Sequence, residues 1–217
     1  MQRLLLALAL FAATAAPALE WKIRSVDFDG TPIEVAVPAD LAPVGMDHPA
    51  MVGTLAALPP QNRLIAGFYA PMDAPFFCQV QQVVPTRNWR YNPADWRQLL
   101  GALDAALRDV DAKKIADDIS GRLNNALGTG IELEKPVMLP VIDRSDRHVI
   151  FPMLMATKAT RDGQTVRSVL LIGCQILVLH DRLVHVFLYE PFVGKETYGV
   201  LATKAREMAK RTLEANR

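Results

Sequence analysis

The segment from Val166 to Leu179, V-R-S-V-L-L-I-G-C-Q-I-L-V-L, limits how this chain can fold more than any other. Side chains along a strand point alternately to two faces. The second half of this segment is apolar at both parities. That predicts a central strand covered on both faces, and therefore a sheet in the middle of a layered domain.

Its neighbours fit that reading. From Ile131 the hydrophobic period is two, and Ile131–Ile142 and His148–Thr157 flank the turn Asp143-Arg144-Ser145-Asp146. Arg161-Asp162-Gly163-Gln164 leads into Val166–Leu179, and His180-Asp181-Arg182 leads on to Leu183–Glu190. Together these form a four-strand antiparallel meander. One face requires a helix, and Lys195 to Asn216 supplies it, with Tyr198, Leu201, Ala205, Met208 and Thr212 on one stripe.

Upstream, Lys22–Phe28 and Thr31–Val37 both alternate and are joined by Asp29-Gly30, a hairpin signal because Gly takes positive φ freely. Pro38 to Pro60 reads as a long irregular connection with a short helix at Ala50–Leu58. Arg63–Tyr69 reads as a buried strand, Pro71–Phe77 as a loop and Gln79–Val84 as another strand. Helical spacing begins at Asn92-Pro93, an N-cap followed by a proline at the first helical position, with Asp95 suited to the helix N-terminus. Trp96, Leu99, Leu100, Leu103, Leu107 and Val110 recur at three- and four-residue steps. Ala112–Leu127 continues with Ile115, Ile119 and Leu123 on one face and stops at Gly128, as one bent helix or as a pair. The expected fold is α+β: an antiparallel sheet with helices packed on both faces.

The N-terminus speaks to location. Arg3 is a short positive region, Leu4–Thr14 an apolar run of 11 residues, and Ala16-Pro17-Ala18 a small-x-small ending. In that order they read as a secretory signal, too short for a bilayer that takes about 20 apolar residues. Residues 1–18 are thus expected to be removed, leaving a single domain over 19–217 in the periplasm or outside the cell, with no integral membrane segment. The remaining chain has 23 basic and 23 acidic residues and no lysine or arginine run, which argues against nucleic acid as partner.

Cys78 and Cys174 are the only cysteines. In an oxidising compartment the pair is expected to form a disulfide. The alternative is that Cys174, inside an apolar strand, is a small buried hydrophobe.

The early hairpin ending at Val35-Ala36-Val37-Pro38, and the tail from Leu177 through His180-Asp181-Arg182 to Tyr189 and on through Lys195-Glu196 into a last helix, resemble the PsbP-like superfamily. That group includes the extrinsic subunit of the photosynthetic water-oxidising complex and the Ran-binding Mog proteins. The resemblance is architectural and spans about two thirds of residues 19–217. It implies an α/β/α sandwich used as a non-catalytic accessory or binding domain, and it carries over no catalytic residue.

Chemistry-bearing motifs are sparse. His180 and His185 bracket a turn without the third and fourth ligands zinc requires, and Met46-Asp47-His48-Pro49-Ala50-Met51 reads as a proline-rich loop rather than a copper site. Asp109, Asp111, Asp117 and Asp118 balance Lys113, Lys114 and Arg122 on a solvated helix face. The four serines include no G-x-S-x-G elbow, and no phosphate-binding glycine loop is present. No catalytic, cofactor or metal residues are assigned. The aromatic residues Phe68, Tyr69, Phe76, Phe77, Trp89 and Tyr91 form a candidate contact surface, or fold back over the sheet. The function expected is a non-enzymatic binding or accessory protein of the cell envelope, with an envelope protein complex or a small apolar ligand as partner. A hydrolase built on a histidine with an acid or serine is the alternative, as is a carrier with an apolar cavity under Trp96 and Leu100.

Overall fold

The computed structural model describes residues 19–71, 76–109, 111–128, 130–161 and 164–217. The chain opens with β1 (Trp21–Phe28) and β2 (Thr31–Pro38), paired antiparallel across Asp29-Gly30. Both turn residues have positive φ, 54° and 75°, and the Gly30 N–H donates to Asp27 Oδ1 at 2.7 Å. The expected hairpin is therefore present with the backbone geometry that Asp-Gly favours.

The connection after it is more ordered than its prolines suggest. It holds β3 (Ala42–Val44) and α1 (Pro49–Ala57) before β4 (Asn62–Tyr69) and β5 (Phe77–Val83). α2 (Pro93–Asp109) starts where Asn92 Oδ1 accepts from the N–H groups of Ala94 and Asp95 at 2.8 and 3.0 Å. α3 (Ala112–Leu127) is a separate helix: Asp111 caps it by accepting from Lys114 N–H, and Gly128 ends it at φ 62°. The expected strand Ile131–Ile142 is broken into β6 (Gly130–Leu133), β7 (Val137–Met138) and β8 (Asp143–Arg144). Pro136 and Pro140 lie at the two breaks, and neither can donate to a ladder. β9 (His148–Arg161), β10 (Gln164–Leu179), β11 (Arg182–Pro191) and α4 (Lys195–Ala215) complete the chain. Residues 1–18 of the expected signal, Val110 of the helical stripe, residues 72–75 of the expected loop and the turn residues 162 and 163 lie outside the described residues.

The main sheet runs β3-β4-β5-β11-β10-β9-β6, with β7 and β8 also on β9, and its pairings are antiparallel. β10 is central, and every residue from Leu171 to Leu179 is buried. Leu171, Leu177 and Leu179 face one core, which holds the β1–β2 hairpin and the α4 residues Leu201, Ala205 and Met208. Ile172, Cys174, Ile176 and Val178 face a second core, with Trp96, Leu99, Leu100 and Leu103 of α2. The fold is thus α+β, with helices on both faces of an antiparallel sheet.

The cysteines are not bonded; both thiols are free and buried. Cys78 on β5 stands opposite Leu188 of β11, and Cys174 on β10 stands opposite Phe187 of the same strand. Two strand spacings, roughly 10 Å, therefore separate them, where a disulfide needs Cα atoms within about 7 Å. They also face opposite ways, Cys78 into the α4 core and Cys174 into the α2 core. The expected bridge is excluded by both distance and direction.

Among the described residues β2 pairs only with β1, which leaves the N–H and C=O groups of its outer edge to other partners. α4 supplies them. Thr212 Oγ1 accepts from Ala36 N–H at 3.0 Å, Asn216 Oδ1 accepts from Glu34 N–H at 3.0 Å, and Asn216 Nδ2 donates back to Glu34 O at 2.6 Å. The two helix side chains thus act as a short substitute strand. Thr212→Val keeps the shape and leaves the Ala36 N–H buried without its acceptor, so it is expected to lower stability by about 1–3 kcal/mol in urea unfolding.

Candidate functional site: an uncharged cavity between sheet and helices

The face of the sheet turned toward α1, α2 and α3 is built from cross-strand rows set by register. One row crosses six strands: Tyr69 (β4), Phe77 (β5), Tyr189 (β11), Ile172 (β10), Met153 (β9) and Met138 (β7). Its aromatic end is stacked, with ring centroids 5.0 Å apart for Tyr69–Phe77 and 4.1 Å for Phe77–Tyr189. The adjacent row carries Gly67, Gln79, Phe187, Cys174 and Phe151.

Above these rows the helices do not fill the space. Trp96 plugs one end of the face at 1% exposure, its Nε1–H donating to Ser145 O at 3.0 Å. At the other end a cavity of about 460 Å³ lies under α1 and α3. Gly53, Thr54 and Ala57 of α1 wall it on one side, and Ile115, Ile119 and Leu123 of α3 on another. Leu107 of α2 reaches it, whereas Trp96 and Leu100 do not line it, so the cavity sits further along the sheet than expected from the sequence. The α3 stripe Ile115, Ile119 and Leu123, expected on one helix face, forms one of its walls. Ile115 is 43% exposed, which places solvent access beside it. α1 approaches β4 through Gly67, where a Cβ would stand 3.1 Å from Met51 Sδ and 3.1 Å from Tyr69 Cε2.

Polarity is concentrated on β5. Phe77, Gln79 and Gln81 face the cavity while Cys78 and Val80 face the other core. Gln79 Nε2 donates to Thr54 Oγ1 at 3.2 Å and to Tyr69 Oη at 3.5 Å. Gln79 Oε1 accepts from Gln81 Nε2 at 3.0 Å and from Tyr189 Oη at 3.3 Å. Asn62 Nδ2 donates to Gln81 Oε1 at 2.9 Å. Among the described residues, no Asp, Glu, Lys, Arg or His lines the cavity. The groups that could ionise are held neutral: burial pushes the Cys174 thiol up to about 12 and the Tyr189 hydroxyl far above its ordinary range. A buried thiol with that pKa is not a nucleophile at neutral pH.

The six aromatic residues of the candidate contact surface separate into three places. Tyr69 and Phe77 belong to the cavity-side row. Phe68 is buried in the α4 core, and Phe76 packs against that core with Lys204 Nζ 4.4 Å from its ring centroid. Tyr91 is buried near Trp96, while Trp89 is 58% exposed and borders an open groove with Asp95, Gln98 and Leu99.

Among the histidines, His180 forms the positive-φ turn between β10 and β11 with Asp181. His148 does meet a serine and an acid: Nδ1 lies 2.7 Å from Ser145 Oγ and Nε2 3.3 Å from Asp143 Oδ2. Ser145 Oγ also accepts from the N–H groups of Arg147 and His148 at 3.1 and 3.2 Å. The trio closes the β8–β9 turn that receives Trp96, its hydroxyl oxygen is already occupied, and none of the three lines the cavity. Among the described residues no three His, Cys, Asp or Glu side chains converge as a metal site requires.

The lining residues missed from the sequence, Gln79, Gln81, Met153 and Met155, had one available signal. In F-C-Q-V-Q-Q-V the glutamines 79 and 81 recur at the parity of Phe77, and in M-L-M the methionines 153 and 155 do the same.

No family model and no curated protein sequence matches this chain. Among solved structures, the 1.9 Å crystal structure of the Saccharomyces cerevisiae Ran-binding protein Mog1p aligns with 91% of this chain and 93% of its own. The identity is 11% and the TM-score 0.30. A score that low carries no argument, so the account of the fold rests on the pairings above.

His185 stands opposite Gln81 on β11, and burial lowers its pKa from 6.5 to about 4. The unfolded chain therefore takes up a proton between these pH values while the folded one does not. Stability is fully present above pH 6.5, falls as pH drops toward 4, and loses up to about 3 kcal/mol over that window. His185→Gln is expected to flatten this part of the pH profile of urea unfolding; an unchanged slope would contradict the assignment.

Proposed function

We propose that this chain is an exported, non-enzymatic binding protein of the cell envelope that takes a small apolar ligand between its sheet and its helices. The observation that carries the reading is the cavity of about 460 Å³, walled by leucine, isoleucine and methionine side chains and free of charged groups. Ligand sites commonly span about 300–1,000 Å³, with apolar walls and a few placed polar groups. Export is supported by the order of Arg3, the apolar run and the Ala16-Pro17-Ala18 ending. No helix among the described residues is long and apolar enough to cross a membrane.

The purified protein is expected to bind the uncharged dye N-phenyl-1-naphthylamine with a rise in fluorescence. Ile119→Trp, which fills the cavity from α3, should weaken that binding at least about tenfold without lowering the melting temperature. No rise, or a rise that the variant leaves intact, would remove the cavity as the site. Protein recovered from the envelope should have Leu19 as its first residue.

A further inference from the structure

We infer that the ligand is an uncharged amphiphile whose head both donates and accepts a hydrogen bond, an alcohol or a primary carboxamide on an apolar tail. This rests on the binding reading above and narrows it. The head would meet Gln81 and Asn62, and the tail would run along Ile172, Met153 and Met138.

Hydrogen-bond accounting fixes the head. Gln79 is saturated, with both N–H groups given to Thr54 and Tyr69 and its oxygen receiving Gln81 and Tyr189. It cannot recognise a ligand without breaking the network. Gln81 and Asn62 are different. Gln81 gives one N–H to Gln79 and accepts from Asn62. Among the described residues, these bonds leave the second N–H of Gln81, the second N–H of Asn62 and the carbonyl oxygen of Asn62 for a partner. Both residues line the cavity, and Gln81 is 4% exposed. A hydroxyl or a carboxamide pairs with the acceptor as well as with a donor, whereas an ester or ketone satisfies only the donors and leaves the Asn62 oxygen without a partner.

The absence of charge among the lining residues fixes the rest. An ionised carboxylate, phosphate or ammonium taken into this cavity would lose its hydration and meet no counter-charge. The tail side offers unbranched, adaptable methionine side chains at positions 138, 153 and 155, which accommodate apolar chains of varied shape.

The test is displacement of N-phenyl-1-naphthylamine from the purified protein at pH 8 by compounds that carry one decyl or decanoyl chain and differ in the head, each below its micelle concentration. 1-Decanol and decanamide are expected to displace the dye at concentrations at least about tenfold lower than decanoate or decyltrimethylammonium. Decanoate or the cation matching decanol would overturn the inference while leaving the cavity as a binding site. A protein that binds no dye would instead defeat the binding reading itself. Gln81→Met should weaken decanol several-fold more than it changes the dye's own affinity; an equal effect on both, or undiminished decanol binding, would show that Gln81 does not read the head. Should the variant fail to fold, the comparison on the unmodified protein still decides.

Discussion

The structure depends on β10 being buried on both sides. A strand with nine consecutive buried residues, Leu171 to Leu179, cannot be stable as the surface of anything. Each parity requires its own cover, and the two covers are built differently. On the Leu171–Leu177–Leu179 side the chain brings together its two ends, the β1–β2 hairpin and α4. Because the hairpin forms no ladder with the main sheet, its attachment relies on packing, on Arg63, Gln82 and Arg182 reaching Asp29 and the Phe28 carbonyl, and on the Thr212 and Asn216 side chains, which complete the free edge of β2 across 176 and 182 residues of sequence. Closing that core therefore requires the whole chain.

The opposite face is covered by separate pieces, and the cavity follows from that. α2 presents one continuous apolar stripe and begins with the anchored Trp96, which covers its half of the face. The other half is left to α1, of nine residues, and α3, whose contacts are with α1 and β6 more than with the central strands. Arg122 of α3 donates to the carbonyl oxygens of Ala56 and Ala57 at the end of α1, which ties the two helices to each other. Helices joined in this way span the sheet instead of sinking onto it, and the space beneath them stays open.

Sequence periodicity carried the elements whose signal is local. The Asp29-Gly30 turn, the Asn92-Pro93 helix start, the Gly128 stop and the doubly apolar half of β10 each have a cause within a few residues. What escaped was non-local. Whether Cys78 and Cys174 share a face depends on both being registered against β11 on opposite parities, which neither flanking sequence contains. The stripe Ile115, Ile119 and Leu123 reads the same whether it meets a packed core or an open cavity, since periodicity reports a face and not what lies beneath it. The breaks in the β6–β8 edge, by contrast, have a local cause in Pro136 and Pro140, which the period-two pattern of Ile131–Ile142 masks.

The glutamines of β5 are the side chains least expected on this face of the sheet. A strand position facing an apolar layer is most simply filled by valine or isoleucine. Gln79 and Gln81 instead bury two amides at 4% exposure each and recruit Thr54, Tyr69, Tyr189 and Asn62 to satisfy them. Each such bond adds only about 1 kcal/mol net, because water would have served both partners in the unfolded chain. An apolar row would cover the sheet as well without demanding that six side chains agree in orientation. What the network adds is a single fixed arrangement of this part of the sheet face, and under the proposed reading its open end at Gln81 and Asn62 is where a polar head would join it.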